Sequence, residues 1–186
     1  MTIGIGITGS FCTHAKILEE IQLLVDKGYD VVPIITESVA STNTRFGLAK
    51  DFIKKLEETT KNKVVQNIVQ AEPLGPSGKL DVLLIAPCTG NTLAKLANAI
   101  TDNAVLMTAK SLMRNNKPIV IGLSTNDALG LNLQNIGKLI TVKNVYFVPF
   151  GQDDYEKKPK SLIAKWLKIE ETILHAMKGE QIQPII

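Results

Sequence analysis

The chain has 186 residues, 45% hydrophobic and 21% charged, with 21 Lys and Arg against 18 Asp and Glu for a net charge of +3. That length suits one domain with a full core, and so small and scattered an excess of lysine gives no support to nucleic-acid binding. Cys12 and Cys88 have neither metal spacing nor a disulfide framework, no apolar run reaches the ~18 residues of a membrane span, and no signal-peptide pattern opens the chain; a reducing, cytoplasmic setting is expected.

Ile3 to Thr8 reads as a first strand, and the turn Gly9-Ser10-Phe11-Cys12-Thr13 leads into a helix. Its apolar positions Ile17, Leu18, Ile21, Leu24 and Val25 recur at helical spacing, and Gly28 ends it. Val31 to Ile35 is a second buried strand, followed by a polar loop from Thr36-Glu37-Ser38 through Asn43. Arg45 to Glu58 suits a second helix striped by Phe52, Ile53 and Leu56, and Val64 to Val69 reads as a short strand. After the surface loop Gly75-Pro76-Ser77-Gly78, Leu80 to Ala86 is the central strand. Helices are predicted over Asn91–Ile100 and Asn103–Arg114, with another buried strand at Ile119 to Leu123.

Ser124-Thr125-Asn126-Asp127 precedes a helix bearing Leu131, Ile136 and Leu139, and Val145 to Val148 is the last strand. Ser161 to Met177 closes the pattern as one amphipathic helix with Ile163, Leu167, Ile173 and Leu174. Gln181 to Ile186 reads either as a loose tail or as one docked on a partner. Alternating strands and helices over residues 1–186, without linker or repeat, predict a single doubly wound α/β domain with a mostly parallel sheet covered on both faces.

In such a sheet ligands bind beyond the carboxyl ends of the strands. Four loops there are dense in small polar residues: Gly9–Thr13, Thr36–Asn43, Pro87–Asn91 and Ser124–Asp127. Small polar residues also simply make good turns, but four such loops on one sheet edge favour a shared ligand site. Gly4-Ile5-Gly6-Ile7-Thr8-Gly9 matches the dinucleotide fingerprint by letter, yet Gly4 and Gly6 fall inside the strand, where they cannot meet a pyrophosphate. Gly9 and Ser10, ahead of a helix, suit a phosphate monoester, and Thr36 and Ser38 add hydroxyls. A mononucleotide therefore fits better than a dinucleotide.

His14 and His175 have no partner at metal-ligand spacing, so no metal site is read. His14 reads as exposed helix surface, or else as a residue reaching the site mouth, and His175 suits a helix C-terminus. Cys88 is either a nucleophile or, with no His nearby in sequence, a small apolar residue filling a tight turn. Trp166 reads as a packing residue or one at an oligomer contact.

Ala86-Pro87-Cys88-Thr89-Gly90-Asn91-Thr92, with Ala94-Lys95, Ala97 and Thr101-Asp102-Asn103, resembles the Pro-Ala-Ser-Ala-Asn-Thr motif of the flavoprotein superfamily, which contains flavin-containing cysteine decarboxylases and flavin prenyltransferases. Gly9-Ser10 with Ala15-Lys16, Thr36-Glu37-Ser38, and Asn126 resemble its other motifs. The resemblance implies FMN as cofactor, held by Gly9, Ser10, Thr36, Ser38, Pro87, Cys88, Thr89 and Asn91, and an oligomer that is a trimer or a multiple of one. Ala71-Glu72-Pro73-Leu74-Gly75-Pro76 and the run Tyr146 to Asp153 resemble a branch of small B-type subunits from spore-forming bacteria. That branch implies oxidation of dihydrodipicolinate to dipicolinate in the mother-cell cytoplasm, beside a dehydrogenase-like A-type partner carrying NADP.

Asn91 and Asn126 are then the candidate catalytic amides, with Thr89, toward a dicarboxylate substrate; Arg45, Lys95 or Arg114 supply charge only if they face inward, and each reads first as an exposed helix position. The decarboxylases' histidine has no counterpart, since no His lies between Ala15 and Leu174, and no Cys follows Cys88 to form their clamp. Cysteine decarboxylation is therefore not expected. The competing readings are a non-catalytic binding protein with a relict flavin pocket and a stand-alone FMN-dependent flavoprotein.

Overall fold

A computed structural model describes residues 1–186. The strands β1 (Thr2–Ile7), β2 (Asp30–Ile35), β3 (Val82–Cys88), β4 (Ile119–Thr125) and β5 (Val145–Phe147) run parallel in the order β2-β1-β3-β4-β5. The chain winds from β1 to β2, then returns past β1 to β3, so the winding reverses between β1 and β3. Crevices at such reversals are where doubly wound sheets bind ligands. Two short strands follow: β6 (Phe150–Gly151) pairs antiparallel with β7 (Leu162–Ala164), which pairs antiparallel with β4 at Ser124 and Thr125. One edge of β4 thus carries β5 along its first half and β7 along its end.

Side chains alternate across this sheet and build two cores. Ile3, Ile5, Ile7, Val82, Leu84 and Val120 face the layer of α1 (His14–Asp26), α3 (Ala49–Thr60) and α8 (Ile169–Ala176). Leu83, Ile85, Ile119 and Ile121 face α4 (Ile68–Ala71), α5 (Gly90–Ala97), α6 (Ala104–Arg114) and α7 (Leu133–Ile140). Gly4 and Gly6 point toward this second layer. A Cβ on Gly6 would lie 2.7 Å from Val105 Cγ1, and one on Gly4 2.8 Å from Leu80 Cδ1. These glycines serve close packing of β1, which accounts for the fingerprint-like spacing without a dinucleotide.

Several predicted boundaries are corrected. Val64 to Val69 is not a strand: only Val65 bridges to Ile34, and Ile68 already begins α4. The polar loop after β2 coils into a short helix, α2 (Glu37–Ser41). Ser161 to Met177 is not one helix, because β7 precedes a 3-10 turn at Trp166–Lys168 and then α8. Val145 to Val148 is consequently not the last strand. Leu131 precedes α7 and is 82% exposed, and Leu167 is 79% exposed. Trp166 packs inside, where its ring lies 3.0 Å from the Cβ position of Gly122.

The tail docks on its own chain. Gln181 Oε1 accepts from the Phe147 amide and Gln181 Nε2 donates to the Phe147 carbonyl, at 2.7 and 2.8 Å. The Phe150 amide donates to the Ile185 carbonyl, and Ile182 is buried. No helix is long and apolar enough to cross a membrane.

Candidate functional site

Thr8, buried at the end of β1, joins the two loops that flank the winding reversal. Its hydroxyl donates to the Pro87 carbonyl at 2.7 Å and accepts from the Thr89 amide at 3.0 Å. Thr89 in turn caps α5, its Oγ1 accepting from the Thr92 amide at 3.3 Å. That leaves the amides of Gly90 and Asn91 in a first turn, where no helix carbonyl can reach them. Ser10 ties the β1 loop to the end of β4 through a 2.8 Å contact between its hydroxyl and that of Ser124.

On the other side of Gly9 lie the hydroxyls of Thr36 and Ser38, 2.9 Å apart. Ser38 Oγ is 3.6 Å from where a Gly9 Cβ would project, so these two loops adjoin. Hydroxyls and first-turn amides of this kind hold anions well. The β1, β2, β3 and β4 loops therefore meet as the sequence predicts.

Gly90 is required by close approach. A Cβ there would lie 2.5 Å from Asn132 Nδ2 and 2.7 Å from both Asp127 Oδ1 and Thr125 Oγ1. Those three form a network: Thr125 Oγ1 donates to Asp127 Oδ1 (2.5 Å), and Asn132 Nδ2 donates to Asp127 Oδ2 (2.7 Å). Asn135 Nδ2 closes it by donating to Asn132 Oδ1 at 2.8 Å. The loop after β4 is thereby fixed against the start of α5.

Between these loops lies a cavity of about 320 Å³. Gly9, Ser10, Thr13, Thr89 and the run Ser124 to Asp127 form its floor, and Asp153, Lys158 and Ser161 to Ile163 form the far wall. Lys158 is its one cationic lining residue, with Nζ 3.5 Å from Asp153 Oδ2. Burial pushes the Asp153 carboxyl up. The Ser161 hydroxyl, nearby backbone amides and Lys158 outweigh it and hold the group below the usual carboxylate range.

Gly9, Ser10, Thr89 and Asn126 line this cavity, and Thr36 and Ser38 adjoin it through Gly9. Pro87 is buried in β3 and contributes its carbonyl to Thr8. Asn91 is exposed on the first turn of α5 and does not line the cavity. Cys88 points into the core beneath α5, fully buried, and burial pushes its thiol up to about 12. Its place in a cofactor contact is corrected accordingly: it fills space.

Arg45, Lys95 and Arg114 do not face inward to line the cavity. Arg45 sits 4.9 Å over the Phe46 ring, Lys95 pairs with Asp102 at 2.5 Å, and Arg114 ends α6. The wall residues Asp153, Lys158 and Ser161 escape a reading of the sequence because they reach the site only through the antiparallel return of β7, which the pattern over 161–177 hides in one helix. The turn-forming Lys157-Lys158-Pro159-Lys160 is the available signal. His14 is likewise corrected: it is 7% exposed, donates from Nε2 to the Thr8 carbonyl (2.9 Å) and stacks on Phe52.

Residues 1–178 match the flavoprotein family. The dipicolinate synthase B subunit of Bacillus subtilis (strain 168) is 51% identical over 99% of this chain and 92% of its own. The crystal structure of the dipicolinate synthase B subunit from Bacillus halodurans C superposes with a TM-score of 0.91 at 48% identity, over 99% of this chain and 94% of that one. The flavin prenyltransferase UbiX of Saccharolobus solfataricus is 29% identical over 78% of this chain and 72% of its own. With its doubly wound sheet and the polar crevice at the reversal point, the chain belongs to the flavoprotein family and is similar throughout its length to dipicolinate synthase B subunits.

Proposed function

We propose that this chain is the B-type component of a dipicolinate synthase, acting in the mother-cell cytoplasm during sporulation. Beside it, the A-type component of dipicolinate synthase carries NADP, and the pair oxidises dihydrodipicolinate to dipicolinate. In that oxidation the dihydropyridine loses two electrons and two ring protons; NADP⁺ on the A-type component would be the final acceptor of the hydride equivalent, and the remaining proton would go to solvent. The observation that carries the reading is the chemistry of the cavity wall: one ammonium, Lys158, faces hydroxyls and amides at the reversal point. A planar dicarboxylate needs a cation and hydrogen-bond donors for its charged groups and an apolar surface for its ring. One of the paired Ser10 and Ser124 hydroxyls and the Asn126 amide supply donors, and Leu162 and Ile163 supply the apolar surface. Asn91, exposed on the first turn of α5 and outside the cavity lining, is given no contact with the substrate in this reading.

The loops also fit a flavin mononucleotide, since Thr36, Ser38, Gly9 and Ser10 match a phosphate's need for hydroxyls and amides, with Thr89 at the next turn. When bound, FMN supplies a two-electron acceptor. The chain's residues bind and orient the substrate and screen it from water. Assembly into trimers or multiples of trimers is part of the same reading.

A second reading is a protein that binds substrate while all chemistry belongs to the partner. It is favoured by the absence of histidine from the cavity lining, because Asp153 is held anionic and Asp127 is tied by Thr125 and Asn132. Reconstitution separates the two. The A-type partner, NADP and dihydrodipicolinate are supplied with and without this chain, and the ultraviolet absorbance of dipicolinate is followed. The expected result is that the partner alone is slow and the pair fast; equal rates would overturn any role for this chain in the reaction. A yellow preparation with flavin absorbance supports FMN, whereas failure to take up added FMN removes it. Loss of rate on Asn126→Ala at saturating substrate marks catalysis by this chain, and a change in KM alone marks binding.

A further inference from the structure

A second cavity, of about 330 Å³, opens on the α1 and α3 side of the sheet and adjoins the crevice at Cys12, which lines both. Phe11, Leu18, Val39, Phe46, Phe52 and His14 are among its walls, and Asp51 and Lys55 bring charge to the lining. The proposed oxidation makes no use of it. Its size is at the lower end of small-molecule sites, and apolar aromatic walls with few placed polar groups are the usual make-up of such sites.

His14 gives this cavity direction. A carbonyl only accepts, so the 2.9 Å contact of Nε2 with the Thr8 carbonyl requires the proton on Nε2. Burial lowers the pKa of His14 against the opposing pull of that bond, so the ring is neutral at pH 7. Nδ1 is then an acceptor, and no side chain or backbone group of the chain donates to it. The ring is held on both sides, stacked on Phe52 at 4.6 Å (16° between planes) and tilted against Phe11 at 5.1 Å. A residue 7% exposed therefore presents a fixed, unshared acceptor among aromatic walls, in addition to the Asp51 carboxylate at the lining, from which the His14 variant below separates it.

We propose that this cavity is a second ligand site, which takes a planar heteroaromatic small molecule bearing a ring N–H. The ring packs against Phe11, Phe46 and Phe52, and the N–H donates to His14 Nδ1. Aromatic contact alone would accept any flat apolar molecule; the fixed acceptor selects for a donor. Lys55 and Asp51 at the lining form no ion pair within the chain.

Indole and 1-methylindole, which differ in that single donor, are the test. Each is titrated into the full-length protein, and backbone amide shifts are followed by NMR. Indole is expected to move the amides around Phe11 and Phe46 to Phe52 saturably, with 1-methylindole about 5-fold weaker, the worth of one neutral hydrogen bond. Equal affinities would overturn the role of His14. No saturable shift up to the solubility of indole would overturn the site.

Long-range ¹H–¹⁵N spectra of His14 add an independent check. The Nε2–H tautomer is expected, and Nδ1–H would overturn the proposal. His14→Phe, which preserves the stack on Phe52, should bind indole no better than 1-methylindole. If that variant does not fold, the ligand pair in the wild-type chain still decides. No partner, NADP or dicarboxylate enters these measurements, so their outcome is independent of the proposed oxidation.

Discussion

Thr8 holds the β1 and β3 loops together with a single hydroxyl, and Val in its place would keep the shape while leaving the Pro87 carbonyl and Thr89 amide unpaired. Buried polar groups stranded in this way cost about 1–3 kcal/mol. Thr8→Val is expected to lower the urea midpoint accordingly with little change in slope, and an unchanged midpoint would refute the coupling. The two cysteines should differ sharply. Cys12 is exposed, whereas Cys88 is sealed in the core with its thiol raised to about 12, so almost none is thiolate at pH 8. Iodoacetamide should label Cys12 in the native protein and reach Cys88 only on unfolding, as peptide mass analysis would show.

His14 carries a pH signature of its own. Burial places its folded pKa below the unfolded value of ~6.5. Between those two values the unfolded chain binds the extra proton, so stability falls as pH drops below ~6.5 and levels off below the folded pKa. One such group changes stability by at most about 1.4 kcal/mol per pH unit. His14→Phe should remove this contribution from denaturation midpoints measured from pH 7 to 5, and an unaltered pH slope would contradict it.

At the scale of elements, α5 shows how a helix start becomes part of a site. Thr89 caps it, and Gly90 lets Thr125, Asp127 and Asn132 close over its first turn. Gly90→Ala must displace that network, at a cost of about 1–3 kcal/mol, and should move the β4 loop away from Ser10. The expected result is a less stable protein with weakened dicarboxylate binding; full binding by calorimetry would show the network to be dispensable. The wall opposite is β7 with the loop before it, where Lys158→Met should raise the KM for dicarboxylate about 10-fold or more, the worth of a charged hydrogen bond. An unchanged KM would remove Lys158 from substrate recognition.

These elements are not equally legible in the sequence. The buried strands β1 to β4 and helices α1 and α6 announce themselves by long apolar runs and by 3.6-residue spacing. The two-residue β6 and three-residue β7 carry too few positions for any periodicity, and Leu162 to Ala164 is apolar enough to pass as the first turn of the helix that follows. Tertiary pairing with Ser124 and Thr125, not local pattern, makes β7 a strand. The loops at Gly9, Thr36, Thr89 and Asn126 are readable because their place after a strand has a fixed meaning in a doubly wound sheet. The wall at Lys158 is not, since it reaches the site only through that antiparallel return. His14 misleads for a related reason: Phe52, 38 positions later, is what covers it.

At the scale of the whole molecule, the chain's two ends brace different things. The N-terminal strand lies inside the sheet between β2 and β3, while the last six residues run along β5 and β6 through Gln181, Ile182 and Ile185. Deleting 181–186 should leave the parallel core folded yet loosen β5 and β6, seen as faster amide exchange at Phe147 and Phe150. Protection equal to the full chain would show the tail to be superfluous.

The split edge of β4 has one more consequence. Because β5 leaves that edge and β7 takes it over, the hydroxyl-rich floor of the cavity and its charged wall come from separate stretches of sequence, the wall being drawn from the contiguous block 153–163. The two can therefore vary independently, and under the proposed function a graft of that block from a relative is expected to change which dicarboxylate is bound while leaving the loops at Gly9 and Thr89 in place.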